Sequence, residues 1–118
     1  MPVFTLNTNV SSAQLPAGLK DQLTDAIAKS LGKPKAYIAV QVNAGQDISF
    51  GGSEEPAALC DLVSIGALST ESNKKHAKLI MQTLQEALKV SPQRTYISFK
   101  NMNKADIGFS STTFDELL

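Results

Sequence analysis

The sequence predicts an α+β fold in which two βαβ repeats form a four-stranded sheet with two helices on one face. A strand-helix-strand pattern occurs twice, and the segment Gly32–Ala39 is echoed by Val90–Ser98. The tyrosines of these segments, Tyr37 and Tyr96, are predicted to mark matching positions. Because βαβ crossovers are right-handed, both helices are expected on the same side of the sheet.

The first repeat begins with a predicted strand over Val3–Leu6. A helix follows, with Ser11 or Ser12 as its cap and Gly32 at its C-terminal end. Its apolar stripe consists of residues four apart, namely Leu15, Leu19, Leu23, Ile27 and Leu31. The β-branched and aromatic segment Tyr37–Val42 is predicted to be the second strand.

The second repeat is predicted to begin with an apolar strand over Ala57–Ile65. Thr70 then caps a helix whose buried face comprises Ala77, Ile80, Met81, Leu84 and Leu88. The fourth strand is Thr95–Phe99, and Ile107–Phe109 adds a short strand before a polar, mobile tail. His76 lies among polar residues, so we predict a solvated side chain without a role.

The two helices can cover only one face of this sheet, and the strands are interpreted as apolar on both sides. The second face is therefore expected to pack against other subunits. Asp47–Phe50 and Ile107–Phe109 are candidate edge strands that extend a neighbour's sheet.

Length and charge exclude several classes of protein. With 118 residues we expect one domain spanning 1–118, and the 11 basic and 11 acidic residues give zero net charge, which argues against nucleic-acid binding. The apolar runs are too short for membrane insertion, and no secretory signal is recognisable. The single cysteine, Cys60, excludes an internal disulfide and is expected to be buried and inert. These features predict a cytoplasmic protein, whose release from the cell would need a non-classical route.

The N-terminus carries the first candidate catalytic group. Removal of Met1 would leave Pro2 with a secondary ring amine at the start of a strand. An ordinary α-amino group titrates near 7.7–8.0, and removing its cation from water lowers the pKa further. Pro2 is therefore a candidate base, although many proteins begin Met-Pro without any catalytic consequence.

Motifs spread over nearly the whole chain carry a resemblance to a known family. They are Pro2 before a strand, Asn7-Thr8-Asn9, Gly32-Lys33-Pro34, Tyr37-Ile38-Ala39-Val40, Phe50-Gly51-Gly52-Ser53, Ser64-Ile65-Gly66, and Ser91-Pro92 with Tyr96-Ile97. In order and spacing they resemble the macrophage migration inhibitory factor family. The resemblance implies a homotrimer around a central channel. It also implies keto-enol tautomerisation of phenylpyruvate-type and D-dopachrome-type substrates, without a cofactor or metal, and a secreted cytokine role in animals.

The resemblance also implies site residues. Pro2 would be the catalytic base. The substrate-binding residues would be Lys33, Ser64, Ile65, Tyr96 and Ser98, and the pocket walls would be Tyr37, Val63, Ile107, Phe109 and Phe114. Tyr96 and Ser98 would come from a neighbouring subunit. On sequence alone, Lys33 is more often a charge on the helix dipole than a ligand, and Tyr96 is more often strand packing; the resemblance reverses both preferences.

Three departures from the family pattern limit what the resemblance implies. Ser98 stands where the family often has Asn, and Ala57 removes the first cysteine of a Cys-x-x-Cys that some members carry. The basic and acidic receptor contacts of the vertebrate factor would fall at Ser12 and Gly45, so chemokine-receptor signalling is not carried across to this chain. Two functions stay open: a tautomerase, and a cytokine-like factor that binds a cell-surface receptor while its pocket chemistry is vestigial.

Overall fold

The computed structural model describes residues 1–118. Its regular elements are β1 (Pro2–Thr8), α1 (Leu19–Leu31), β2 (Ala39–Asn43), β3 (Ala58–Ser64), α2 (Thr70–Leu88), β4 (Thr95–Asn101), β5 (Gly108–Phe109), β6 (Thr112–Thr113) and α3 (Phe114–Leu117). Short 3-10 helices occupy Ser12–Gln14, Lys35–Tyr37, Pro92–Arg94 and Lys104–Asp106.

The four long strands form one sheet in the order β2-β1-β3-β4. β1 is parallel to β2, β3 is parallel to β4, and the two pairs join through the antiparallel contact of β1 with β3. β5 and β6 form a separate antiparallel hairpin. The predicted architecture of two βαβ repeats is confirmed.

The hydrophobic core lies between the sheet and the two long helices. Alternate residues of β1 and β3 face the helices, so that Phe4, Leu6 and Leu62 are fully buried. Leu23 of α1 and Leu84 of α2 are fully buried against them. Each such side chain contributes about 1.5–3 kcal/mol by leaving water, which fixes the helices to this face.

The opposite face of the sheet, which we call the open face, is more polar than predicted. Strand alternation places on it Val3, Thr5, Asn7, Ala39, Gln41, Asn43, Leu59, Asp61, Val63, Tyr96, Ser98 and Lys100. Asn43 Nδ2 donates to Asn7 Oδ1 at 3.0 Å, and Asn7 Nδ2 donates to the Leu59 carbonyl at 3.2 Å. The interpretation of both faces as apolar holds only in part, because apolar residues such as Leu59 and Tyr96 lie on this face among polar and charged ones.

The helix ends differ from prediction at the N-termini. α1 begins at Leu19 after Gly18, and Ser12 belongs to a separate 3-10 helix, because Pro16 separates the two segments. The predicted C-terminal residue Gly32 is confirmed, with φ of 67°. α2 is capped one residue earlier than predicted, since the Ser69 hydroxyl accepts the Ser72 N–H at 3.1 Å.

Four further expectations need correction. Asp47–Phe50 is not a strand in this chain, and only Phe50 forms a bridge, with Ser53. The tail after Phe109 folds into β6 and α3, because Phe114 is buried. His76 is not solvated but 2% exposed. The tyrosines do not match, since Tyr37 ends a 3-10 helix whereas Tyr96 lies inside β4.

A membrane-spanning helix needs about 20 apolar residues. None of the helices here combines the required length and apolar character.

Candidate active site

A cavity of about 420 Å³ opens beside the N-terminus of β1; we call it the N-terminal pocket. Its lining is mostly apolar and consists of Met1, Lys33, Pro34, Tyr37, Ile65, Phe109, Phe114, Leu117 and Leu118. These residues come from the chain start, the turn after α1, the turn after β3 and the C-terminal segment. The pocket therefore gathers parts of the sequence that are more than 100 residues apart.

Lys33 reaches the pocket because α1 ends in a left-handed turn. Gly32 takes the left-handed conformation without strain, and the N–H groups of Gly32 and Lys33 both donate to the Ala28 carbonyl, at 2.9 and 3.3 Å. The chain thereby leaves the helix toward the start of β1. Lys33 Nζ donates to the Ile65 carbonyl at 3.2 Å. Lys33 is the only charged side chain among the lining residues.

The N-terminal amine lies in the same pocket. Desolvation by burial, followed by repulsion from Lys33, lowers the pKa of the Met1 amine below its ordinary value of 8.0. Pro2 directly follows, buried at the start of β1 opposite Ser64. An amine at this end of β1 is therefore held in an environment that favours the neutral, basic form.

Residues Ser64–Ala67 form a turn at the end of β3, and Ile65 of this turn lines the pocket. The polar groups of the turn are nearly all hydrogen-bonded. The Ser64 hydroxyl donates to the Gly66 carbonyl at 2.9 Å, and the Ser64 carbonyl accepts the Met102 N–H at 2.9 Å. The Gly66 N–H donates to Asn101 Oδ1 at 3.0 Å. The Ile65 N–H has no acceptor within the chain, and Ile65 itself lines the pocket.

Aromatic side chains form the apolar wall. Phe109 stacks on Phe114 with ring centroids 5.2 Å apart, and Tyr37 meets Phe109 edge-on at 6.3 Å. Phe114 is buried whereas Phe109 and Tyr37 are each about half exposed. Such a wall fits a planar apolar group of a ligand.

The structure brings together some of the predicted site residues and separates others. Lys33, Ile65, Tyr37, Phe109 and Phe114 line the N-terminal pocket. Ile107 lines an adjoining cavity of about 330 Å³ that shares Met1, Tyr37, Phe109 and Phe114. Neither cavity is lined by the predicted residues Pro2, Ser64, Val63, Tyr96 and Ser98; Pro2 is buried directly behind Met1, which lines both.

The alternation of side chains along β3 keeps Ser64 and Val63 out of both cavities. Strand alternation turns Ser64 into the core, where it is fully buried and its hydroxyl is bonded to the Gly66 carbonyl. The same alternation turns Val63 to the open face, paired with Val3.

Tyr96 and Ser98 lie away from the pocket of their own chain. Tyr96 pairs with Leu59, which pairs with Asn7, five residues along β1 from Pro2; at roughly 3.3 Å per residue this is about 17 Å. The Tyr96 ring packs against the Phe50 ring at a tilt of 36°, with a centroid distance of 4.8 Å, and Tyr96 is still 67% exposed. Ser98 is also exposed, on the open face.

Three lining residues were not anticipated from the sequence: Pro34, Leu117 and Leu118. The spacing of Phe114, Leu117 and Leu118 at i, i+3 and i+4 is the apolar period of a helix and contained the signal for the last two. Pro34 carried no chemical signal, because its role is to bring apolar surface beside Lys33.

Cys60 is 3% exposed, as predicted, and faces the helices from β3. Burial, with a smaller effect of Asp61, raises the pKa of its thiol to about 12. A thiol with this pKa is almost entirely protonated near neutral pH, so it is a poor nucleophile.

The arrangement has the chemical features of a site for a small anionic molecule with a flat apolar part. Lys33 supplies the positive charge, the Ile65 N–H supplies a donor, and the aromatic wall supplies apolar contact. An N-terminal amine of reduced basicity completes the set with a group that can accept a proton.

The chain is similar to known proteins along nearly its whole length. The family described as "Macrophage migration inhibitory factor (MIF)" matches residues 1–115. The chain is 43% identical to macrophage migration inhibitory factor of Meriones unguiculatus over 114 residues, 97% of this chain and 99% of that protein. It is 39% identical to the homologue of Trichinella spiralis over 114 residues, covering 97% of this chain and 100% of that protein.

Solved structures give the same result. The Trichinella spiralis factor superposes with a TM-score of 0.91 at 37% identity, covering 94% of this chain and 98% of that chain. The homologue from Prochlorococcus marinus superposes with a TM-score of 0.88 at 25% identity, covering 95% and 98%.

Proposed function

The chain belongs to the macrophage migration inhibitory factor family, and from this premise we propose that it is a keto-enol tautomerase whose base is the amine of Pro2 after removal of Met1. The substrates are phenylpyruvate-type 2-oxo acids and D-dopachrome-type molecules. The single observation that carries the proposal is the environment of the Met1 amine, one residue before Pro2, in an apolar pocket beside Lys33 where the pKa of that amine is lowered.

Each group at the pocket has a role in this reaction. The neutral Pro2 nitrogen takes a proton from the carbon beside the keto group, and the electron pair of that C–H bond moves toward the carbonyl oxygen. Lys33 pairs with the substrate carboxylate, and the Ile65 N–H donates to the oxygen on which charge develops. The proton held by Pro2 then returns to that oxygen, so the reaction is balanced without a cofactor.

The proposal has a specific pH dependence. A base with a lowered pKa is neutral, and therefore active, at a lower pH than an ordinary amine. We expect kcat/KM to rise with pH through one ionisation below the ordinary α-amino value of 8.0, for the two reasons found at the Met1 amine, desolvation and the charge of Lys33. Lys33→Met should move this ionisation toward higher pH, since it removes the repulsion.

The decisive experiment compares three preparations verified by mass spectrometry: the chain starting at Pro2, the chain retaining Met1, and Pro2→Gly. With Met1 attached, the Pro2 nitrogen is a tertiary amide that cannot accept a proton near neutral pH. In the chain that retains Met1, loss of the base should reduce phenylpyruvate turnover by about 10²–10⁴-fold, whereas Pro2→Gly keeps a primary α-amine and tests the need for the proline ring. Full activity in the chain that retains Met1 would refute Pro2 as the base.

Within this proposal the active form is a homotrimer, with residues 1–118 as its one domain. The supporting observation is the exposure of Tyr96 and Ser98 on a sheet face that the helices leave uncovered. A neighbouring subunit would then bring Tyr96 and Ser98 to the pocket and so close it. A monomeric mass by light scattering at micromolar concentration would contradict the trimer and remove both residues from the site.

The second candidate is a cytokine-like factor, active outside the cell as well as in the cytoplasm, whose pocket chemistry is vestigial. It is supported by the names of the relatives, which are called macrophage migration inhibitory factor in several animals. A receptor-binding assay with the wild type and Pro2→Gly separates the two functions. Unchanged binding by a catalytically dead Pro2→Gly would show that receptor binding does not need the catalytic chemistry.

A further inference from the structure

We infer that His76 is a positioning residue, which holds the Ser64–Ala67 turn so that Ile65 faces the N-terminal pocket correctly. The inference rests on the proposed function of that pocket. His76 contacts neither the pocket nor a substrate, and it acts through the carbonyl of Ala67.

The hydrogen-bond partners of the His76 ring indicate which ring nitrogen donates and which accepts. Its ring is buried in α2, and Nε2 lies 2.8 Å from the Ala67 carbonyl oxygen, which can only accept a hydrogen bond. Nε2 therefore carries a hydrogen and donates it. Nδ1 lies 2.5 Å from the hydroxyl of Ser30 in α1, and in the neutral ring it accepts the hydrogen of that hydroxyl.

The turn that His76 bonds contains two consecutive residues in the left-handed conformation. Gly66 has φ of 75° and adopts it freely, but Ala67 has φ of 63°, where its Cβ is crowded. A non-glycine residue stays in such a conformation only when surrounding contacts hold it there. The Ala67 carbonyl accepts from His76 Nε2 and, at 3.2 Å, from the Ser72 hydroxyl.

The same short turn is held by two residues three positions apart in the sequence, Ser30 in α1 and Lys33 just after its end. Ser30 reaches it through His76, and Lys33 reaches it directly, through the Ile65 carbonyl. His76 thus connects the buried end of α1 to the turn that supplies the free Ile65 N–H. If the Ala67 carbonyl is released, the strained residue can relax, and the Ile65 N–H and the acceptor of Lys33 lose their fixed direction.

Two substitutions of similar size separate the two hydrogen bonds of the ring. In His76→Gln the side-chain amide extends to the position of Nε2 and can still donate to Ala67. In His76→Asn the shorter amide stays near Nδ1, so it can bond Ser30 but does not reach Ala67. The pair therefore tests the bond to the turn while a polar group remains buried in both variants.

The first measurement does not require any activity. Gly66 N–H is hydrogen-bonded to Asn101 Oδ1, so its hydrogen exchange reports on the order of the turn. We expect exchange at Gly66 to be at least 10-fold faster in His76→Asn than in wild type, and close to wild type in His76→Gln. Ile80→Val, a packing change one helical turn further along α2, is the control for a general loss of stability.

The second measurement is steady-state kinetics with a carboxylate-bearing keto substrate. We expect His76→Asn to raise KM about 10-fold with a smaller change in kcat, and His76→Gln and Ile80→Val to keep both parameters near wild type. Equal behaviour of the Asn and Gln variants, or wild-type exchange at Gly66 in His76→Asn, would overturn the inference. If wild type shows no tautomerase activity, the proposed function fails, and the exchange result still decides the role of His76.

Discussion

The two halves of the molecule follow the same plan but use the corresponding turn differently. Each long helix ends in a left-handed residue, Gly32 with φ of 67° or Lys89 with φ of 61°, and a 3-10 helix begins three residues later. When the two turns are aligned on these left-handed residues, Lys33 corresponds to Val90 and Tyr37 corresponds to Arg94. Lys33 and Tyr37 line the N-terminal pocket, whereas Val90 is fully buried in the core.

Arg94 makes the second turn a structural clamp. Its guanidinium donates to the carbonyls of Phe50, Ser53, Glu55 and Pro56 at 2.9–3.2 Å, and it lies 5.3 Å from the centre of the Phe50 ring. Asn9 holds the same loop by donating to the carbonyls of Glu54 and Glu55. The same backbone turn thus supplies pocket-lining side chains in one half and loop anchoring in the other, and side-chain identity makes the difference.

The largest effect is expected from a substitution that removes the Arg94 clamp. Arg94→Met removes the hydrogen bonds to four carbonyls, and since bonds to charged groups contribute about 1.5–3 kcal/mol each without full additivity, we expect a loss of about 3 kcal/mol in the free energy of unfolding. Urea denaturation measures it. Gln93→Ala, an exposed neighbour in the same 3-10 helix, is the control and should stay within about 0.5 kcal/mol of wild type. Equal stability of the Arg94 variant would show that the clamp is not needed.

The corresponding change in the first half should affect binding instead of folding. Lys33→Ala removes a charge-assisted partner of the carboxylate, so KM for a carboxylate substrate should rise about 10–100-fold, with a small change for an uncharged ester. Lys29→Ala, in the last turn of α1, tests whether a helix-dipole charge explains the effect and should behave like wild type. Equal losses for acid and ester would place Lys33 on the carbonyl or on structure.

The two left-handed helix ends give a smaller, paired effect. Lys89→Gly should stabilise the protein by about 0.5–1 kcal/mol, and Gly32→Ala should destabilise it by about 1 kcal/mol, because only glycine adopts this conformation without strain. A Cβ at Gly32 would meet no atom within 4 Å, so the cost is conformational and not steric crowding by neighbours. Thermal denaturation of both variants tests the pair; changes of the same sign would show that the two ends are not equivalent.

The smallest effect is expected for Cys60, which lies in β3, the strand that pairs with β1 and so joins the two halves. Cys60 has a thiol pKa raised to about 12, so at pH 8 only about one molecule in 10⁴ carries a thiolate. Native protein should resist iodoacetamide for hours and react fully in urea, as mass spectrometry would show. Cys60→Ala should leave tautomerase turnover near wild type. Rapid alkylation of the native protein would contradict the buried, protonated thiol.

Sequence reasoning was most reliable where a local pattern has one physical solution. Apolar residues four apart predicted α1 and α2, and Gly32 predicted the end of α1. The family resemblance, carried in part by Gly32-Lys33-Pro34 and Ser64-Ile65-Gly66, placed Lys33 and Ile65 at one site, and in the structure Lys33 Nζ donates to the Ile65 carbonyl at 3.2 Å. The prediction of a solvated His76 failed, although the buried stripe of α2 contains residues four apart, His76, Ile80, Leu84 and Leu88. The polar neighbours of His76 belong to the outer side of the helix and were given too much weight.

The sequence by itself determined the two repeats, the neutral charge, the single cysteine and the N-terminal proline, since each depends on composition or on a period within one element. Only the tertiary structure decided which face of each strand is buried and which turn meets which. Residues more than 30 positions apart, such as Lys33 with Ile65, His76 with Ser30 and Arg94 with Phe50, meet because the helices pack on the sheet. A hydrogen bond of this kind depends on distance and direction in space, and a local sequence pattern specifies neither.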